Sequence, residues 1–571
     1  MPGKASWRAT RRRVGTACLM AAGAAAVTPA HAQWMTWRGD GDAGMGAPVG
    51  SDLERYVRAL TVAGIVRPLP WSGRPFSAAE LERIGATAAD SLHPWSRALR
   101  SEPGAALIAP GVVARVNSGF PWGANDGPMW SGRGLTVAAG AGASWRRGPL
   151  SLVVAPVAWV AQNAPTPLLA NGEQGRLVYA DGQFARFVDR PQAFGDRAFA
   201  QVDPGHSQLR LEGHGLVVGL GTNNIGWGTG EAFAPLLGAN APGFLHGFLG
   251  TSADGLVLNG IGRVGLRYIA GVLDQSRWST VSGSRHFVRF DEPGTRRMAS
   301  GLAASFMPAF LPTLELGATR FFHSPYWAGS RKWQALGKPI EGILKSEREV
   351  TSEFPGDPQG DLDNQLGTLY ARLHLPRRGA EVALEWIRED HSYDLRDLAQ
   401  EPEQNAAFLA SLRVATHRSA RRIGMLTLEY FDGDIAPIAR QRPQGNLFIH
   451  IPLAQGHTQR GQLLGIPIGV GAVSGQRIAW ERFDPAGSWR GEIQRWRTRM
   501  RRSTDPQNLN FDAPGFIARS GETMFDASVT RLRRQGRGGT GSLTAGAVLA
   551  SAFNFGGSRL NLYAQLGLRA W

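Results

Sequence analysis

One pattern recurs from about Leu107 to Trp571: an alternating strand, a short turn, a second alternating strand and a long polar segment. Tight turns are predicted at 147–149, 213–215, 260–262, 311–312, 377–379 and 417–419. Long segments are predicted at 163–205, 223–253, 274–297, 323–363 and 390–405. Short connections at one end and long ones at the other are typical of outer-membrane β-barrels, whose turns are periplasmic and whose loops are extracellular.

Alternation within single strands supports the same fold. In the segment 381–386, Val382, Leu384 and Trp386 share one face while Glu381 and Glu385 share the other. This period of two matches a strand with a lipid-facing side and a polar lumen side. The last strand, 560–569, repeats the pattern before the chain reaches an aromatic residue at position 571.

These patterns predict an all-β transmembrane barrel of about 18 antiparallel strands over residues 105–571. The mature chain contains no run of 18 consecutive apolar residues, which a helical membrane span would need. A soluble secreted β-sandwich or propeller is the structural alternative.

The first 32 residues read as a cleaved secretory signal. A basic stretch precedes an apolar run from Val14 to Val27, and Ala30-His31-Ala32 supplies a cleavage site. We therefore expect secretion to the periplasm, a mature chain starting at Gln33, and insertion by the barrel assembly machinery. The only cysteine, Cys18, leaves with the signal.

Residues 33–104 predict a small periplasmic helical subdomain. Ser51 precedes apolar residues at helical spacing, and Gly64 is positioned to end that helix. Ser77 and Glu80 form a capping-box pattern that predicts a second helix. A third helix is expected after Pro94.

The formal charge of +16 falls to about +11 when the signal is removed, and nearly all cationic residues are arginines. In a secreted chain this charge favours lipopolysaccharide phosphates, other outer-membrane lipid or acidic polysaccharide over nucleic acid. A GC-rich genome is an equally good explanation of the arginine content.

The most distinctive segment is glycine-rich and runs from Gly219 to Gly230, followed by 237–243. We expect it to be extracellular or to fold into the barrel mouth. Trp227 offers a ring for stacking on a sugar, and asparagine amides offer paired hydrogen bonds. The polysaccharide-binding candidates here are Asn223, Asn224, Trp227 and Asn240. The alternative is an architectural bend in which Trp227 packs in the core.

Two further groups of charged residues stand out in the sequence. Arg495 and Arg497 alternate on a strand end, where they would line a basic lumen, touch lipopolysaccharide or face solvent; they complete the polysaccharide-binding candidates. The acidic loop with Asp357, Asp361 and Asp363 carries oxygen ligands but does not match a calcium-binding EF-hand loop. We therefore predict no metal site and no cofactor.

Several of these segments together resemble the capsule assembly Wzi family. They are the helix with Asp52-Leu53…Leu60…Gly64-Ile65-Val66, the Pro68-Leu69-Pro70-Trp71 element, the W-G-x-G motif at Trp227 and the Asn240-Ala241-Pro242-Gly243 element. The chain departs from the pattern at Thr229, where proline is expected. The resemblance covers essentially the whole mature chain and implies an 18-stranded outer-membrane barrel that helps hold capsular polysaccharide at the cell surface.

The sequence thus favours a non-enzymatic, monomeric, lectin-like barrel that binds capsular or other surface polysaccharide. Loop arginines would meet acidic groups, and tryptophan and asparagine side chains would meet sugar rings and hydroxyls. The alternative function is a diffusion channel for anionic solutes. A membrane-embedded hydrolase is disfavoured, because the sequence has neither a G-x-S-x-G elbow nor an H-E-x-x-H motif.

Overall fold

The structure is a computed structural model. It describes residues 43–85, 94–101, 103–279, 296–326, 330–341, 363–389, 394–400, 402–403, 405–419, 421–433, 447–449, 453–499, 521–534 and 539–569. The predicted signal peptide 1–32 and the terminal Trp571 lie outside these residues.

The chain forms 18 barrel strands, three of which are interrupted. The first nine are β1 (Gly104–Asn117), β2 (Gly134–Arg147), β3 (Leu150–Val154 and Val157–Ala161), β4 (Phe199–Asp203 and Gln208–Gly213), β5 (Leu216–Gly221), β6 (Leu245–Thr251 and Leu256–Leu258), β7 (Gly262–Asp274), β8 (Arg296–Pro308) and β9 (Leu314–Pro325). The last nine are β10 (Asn364–Leu375), β11 (Ala380–Glu389), β12 (Ala406–Ser419), β13 (Arg422–Gly433), β14 (Val473–Asp484), β15 (Gly487–Arg499), β16 (Gly521–Arg534), β17 (Thr540–Ser551) and β18 (Arg559–Arg569).

Each strand pairs antiparallel with its neighbours in the chain, and β1 pairs with β18 to close the sheet. The closing register joins Gly111 to Arg569 and Asn117 to Tyr563. An even strand number and full closure leave no free sheet edge. The predicted barrel of about 18 antiparallel strands is confirmed.

Side chains alternate between the lipid and the lumen as the sequence predicts. On β11, Leu384 is 61% exposed on the outer wall while Glu381 is fully buried inside. On β18, Leu560 and Leu562 are exposed and Asn561 between them is buried. This outward band of apolar side chains places the barrel in the outer membrane. Among the described helices, none is long and apolar enough to cross a membrane.

In the described part of the chain, three α-helices precede the barrel: α1 (Asp52–Val62), α2 (Ala78–Gly85) and the short α3 (Pro94–Arg97). The Ser51 hydroxyl accepts a hydrogen bond from the Glu54 amide at 3.0 Å, which caps α1. Ser77 and Glu80 form the reciprocal capping box before α2, at 2.7 and 3.2 Å. The predicted helix starts are confirmed. Two more helices lie in later loops, α4 (Ser330–Gly337) and α5 (Leu395–Gln400).

The helices enter the periplasmic end of the barrel. Tyr56 and Trp95 pack against Phe483, with ring centroids 5.4 and 5.1 Å apart. The Trp95 indole donates to the carbonyls of Asp484 and Gly487 at the β14–β15 turn. The predicted boundary between residues 104 and 105 falls one residue into β1, and the division into domains stays a prediction.

Three predicted connections are wrong. The tight turn expected at 417–419 is strand, because a bulge between Ala415 and His417 carries β12 on to Ser419. The long segment expected over 163–205 contains the first part of β4, Phe199–Asp203, and the one expected over 223–253 contains the first part of β6, Leu245–Thr251. A strand residue that alternates imperfectly is hard to distinguish from a polar loop by period alone.

Candidate functional site

The glycine-rich segment between β5 and β6 folds into the lumen. Its side chains Trp227, Phe233 and Leu236 are at most 1% exposed and belong to the main core of the protein. The amide and hydroxyl of Thr229 both donate to the Glu385 carboxylate on the inner wall, at 2.8 and 3.1 Å. Proline has no backbone N–H and could not donate the first of these hydrogen bonds. This explains threonine at the position where the family pattern predicted proline.

A lattice of buried ion pairs joins this segment and helix α1 to the wall. Glu381 lies 2.9 Å from Arg58 of α1, 3.0 Å from Arg372 and 3.1 Å from Arg413. Arg58 and Arg413 also donate to the Thr229 carbonyl at 3.1 and 3.3 Å. Among the described residues six arginines are fully buried, and each needs such partners because an unpaired buried charge is costly. The centre of the lumen is therefore filled.

The structure assigns hydrogen bonds and packing to three of the predicted binding residues. Trp227 is 1% exposed and packs on Phe321, with ring centroids 6.4 Å apart. Asn224 donates to the carbonyls of Gly238 and Ala241 at 3.0 and 2.8 Å, and so holds the inward segment together. Asn223 is 4% exposed. The polysaccharide-binding role of these residues stays a prediction.

The other three candidates lie in two different places. Asn240 borders a cleft at the extracellular end of the barrel. Its side-chain Nδ2 donates to the Leu463 carbonyl, and its side-chain Oδ1 accepts from the Asn125 backbone amide. Arg495 and Arg497 share the outward phase of Ile493, which is 60% exposed. They therefore lie on the outer wall near the extracellular end of β15 and not in the lumen.

A cleft of about 270 Å³ opens at the extracellular end of the barrel and is walled by aromatic rings. Trp122 packs on Trp496 and Phe120 packs on Phe553, with ring centroids 4.6 and 4.7 Å apart. Trp130 lies at the same cleft, is half-buried and packs edge-on against another ring. Aromatic faces of this kind stack on sugar rings as well as on one another.

Four buried polar oxygens at the cleft have no hydrogen-bond partner among the described residues. They are Asp126 Oδ2, Ser131 Oγ, Thr166 Oγ1 and Gln183 Oε1. Less than 1 Å² of each atom is exposed, and Asp126 Oδ2 lies 3.5 Å from Arg115 Nη1. The four oxygens are therefore part of the wall of the cleft and are shielded from a ligand in its open space.

The charge of the described cleft lining is acidic. Asp126, Asp181 and Glu522 line it with a single arginine, Arg190, which lies 2.9 Å from Asp181. Burial raises the pKa of Asp126 to about 6, against the opposing effect of Arg115 at 3.5 Å. This lining differs from the expectation that arginines would meet acidic sugars.

Sequence reasoning missed this cleft because its walls come from distant segments. Strands β15 and β16 and the loops after β1, β3, β5, β13 and β17 all contribute. The only advance signal was the abundance of tryptophan, 18 residues in the chain. Asp357 and Asp361 of the acidic loop lie outside the described residues. Within the described part of the chain, no cluster of metal-ligating side chains occurs.

Comparisons with known proteins identify the fold. No protein-family model matches the sequence, and no curated protein matches it. The structure is similar to that of Wzi, an outer-membrane protein of Escherichia coli involved in group 1 capsule assembly and a carbohydrate-binding β-barrel. The TM-score is 0.58 at 15% sequence identity, over 92% of this chain and 99% of that one.

Two Pseudomonas aeruginosa structures also align, with lower scores. OpdQ has a TM-score of 0.36 at 8% identity, covering 81% of this chain and 96% of that one. OccD3 (OpdP) has a TM-score of 0.37 at 12% identity, covering 88% and 100%. The fold of this chain is that of Wzi, as the sequence resemblance predicted.

Proposed function

We propose that this barrel binds a surface polysaccharide in its extracellular cleft and helps to attach or assemble that polysaccharide at the cell surface. The observation that carries the proposal is one cleft whose walls combine aromatic rings with polar side chains. Sugars present apolar ring faces and many hydroxyl groups, which match these two features. The shared fold with the carbohydrate-binding Wzi supports this assignment.

The filled lumen favours binding over conduction. A diffusion channel needs a continuous water path, whereas here the inward segment and helix α1 meet at the barrel centre through Arg58 and Thr229. An anion channel is therefore the second candidate function, and the barrel fold is its only support. The proposed role is non-enzymatic.

The acidic lining refines the ligand. Because the described carboxylates outnumber the single arginine, a neutral or amino-substituted sugar fits the cleft better than a sugar acid. A polysaccharide that contains both neutral sugars and sugar acids would place its neutral units in this cleft.

Glycan affinity of a Trp130→Ala variant tests the proposal. Removing one aromatic face at a binding cleft costs about 1 kcal/mol, so the dissociation constant should rise about fivefold. Trp145→Ala is the matched control, because Trp145 is on the outer wall, 36% exposed and away from the cleft. Binding would be measured on purified protein in nanodiscs with surface polysaccharide from the producing cells. Equal affinity of both folded variants and wild type would reject the cleft as the site.

A further inference from the structure

An extracellular segment folds back onto the outside of the barrel. Ile269, Ala299 and Phe321 on β7, β8 and β9 are buried in the lumen core. Their neighbours Tyr268, Ser300 and Arg320 therefore point to the outer wall, since successive strand side chains face opposite sides. These three side chains all contact helix α4 or the residues that follow it, up to Glu341.

The wall supplies hydrogen-bond donors to the carbonyl end of this helix. Ser300 Oγ donates to the Ala335 carbonyl and the Tyr268 hydroxyl donates to the Leu336 carbonyl, each at 2.8 Å. Arg320 donates to the Glu341 carbonyl at 2.6 Å. The last carbonyls of a helix have no partner within the helix, and leaving them unpaired is most costly where water is scarce.

The contact between this segment and the wall lies at the height of the outer half of the apolar band. Leu266 and Leu316, on the outward faces of β7 and β9, are 44% and 45% exposed just below it. Arg320 is six residues beyond the start of β9. At about 3.4 Å per residue and a tilt of about 40°, it is roughly 15 Å above the periplasmic end, in a band about 25 Å tall.

The segment turns large apolar side chains away from the barrel. Trp333 is 73% exposed and Ile340 is 77% exposed, while Ala335 is buried against the wall. Tryptophan on a short helix at this level is typical of a membrane interface. Lys338, the lysine of this segment whose side chain is described, pairs with Glu341 and Asp363 at 3.5 and 3.7 Å.

We propose that residues 330–341 are an outer-leaflet anchor, which inserts Trp333 and Ile340 among the acyl chains of the membrane lipid. The outward apolar side chains bury in the lipid, and the wall donors satisfy the helix backbone there. The anchor is independent of glycan binding.

Single-cysteine labelling tests this placement. In a Cys18→Ser background, which removes the only cysteine, Ile340→Cys receives an environment-sensitive fluorophore. Leu384→Cys marks the lipid-facing wall, because Leu384 is 61% exposed on β11. Arg197→Cys marks an extracellular loop, because the Arg197 side chain is 92% exposed. Each protein is reconstituted into vesicles that carry a nitroxide on the acyl chains.

The label at 340 should lose as much fluorescence to the acyl-chain nitroxide as the label at 384. Only the label at 197 should be quenched by aqueous acrylamide. Acrylamide quenching at 340 would place the segment in water, and protection from both quenchers would place it against a second copy or another protein. Either result would overturn the proposal.

Discussion

Glu381 on β11 offers a direct test of the buried ion lattice. Its carboxylate is fully buried and lies within 3.1 Å of three arginines, Arg58, Arg372 and Arg413. Glu381→Gln keeps the shape of the side chain but removes the charge that these guanidiniums share. Breaking a buried ion pair from one side costs about 3–5 kcal/mol, which is about a hundred- to several thousandfold in the unfolding equilibrium.

Glu385→Gln is the matched control, two residues along the same strand and on the same inner face. Glu385 is 3% exposed and accepts hydrogen bonds from Thr229, and among the described residues no arginine forms an ion pair with it. An amide oxygen still accepts those bonds, so the expected cost is only about 1 kcal/mol.

The assay is equilibrium unfolding in urea of both variants and of wild type, reconstituted in the same lipid. We expect a clearly larger loss of unfolding free energy for Glu381→Gln than for Glu385→Gln. Equal losses would show that the arginine lattice does not hold the lumen closed.

Two more substitutions separate structural from binding roles. Trp227→Ala should cost about 3–5 kcal/mol of unfolding free energy by leaving a cavity in the lumen, with unchanged glycan affinity in the folded protein; weaker binding at full stability would contradict this. Burial raises the pKa of Asp126 to about 6, so its stabilising contribution is present near pH 4 and is lost as pH rises through 6. Asp126→Asn should therefore gain stability relative to wild type on going from pH 4.5 to 7.5, and a constant difference in unfolding free energies would refute the reasoning.

Local patterns in the sequence predict the elements of this fold well. The Ser77–Glu80 capping box and the Ser51 cap depend on residues three positions apart, so they can be recognised without tertiary structure. Strand alternation around Leu384 likewise depends only on which side of the wall faces lipid.

The candidate site depends on contacts that the sequence does not encode locally. Trp227 stands out among glycines and invites a binding interpretation, yet its ring packs so closely on β8 that a Cβ at Gly301 would lie 2.6 Å from it. The cleft brings Asp126, Gln183 and Trp496 together across more than 300 residues of chain. Only the closed barrel makes these residues neighbours. The outward direction of Arg495 depends on the register of β15, which period alone does not fix.

Single-channel recording of the purified wild-type protein in a planar lipid bilayer tests the central claim most directly. A lumen filled by the inward segment, helix α1 and the Glu381 lattice predicts a correctly folded barrel that gives no conductance steps. Steady, anion-selective steps would contradict the account, because they require a continuous water path through the centre of the barrel.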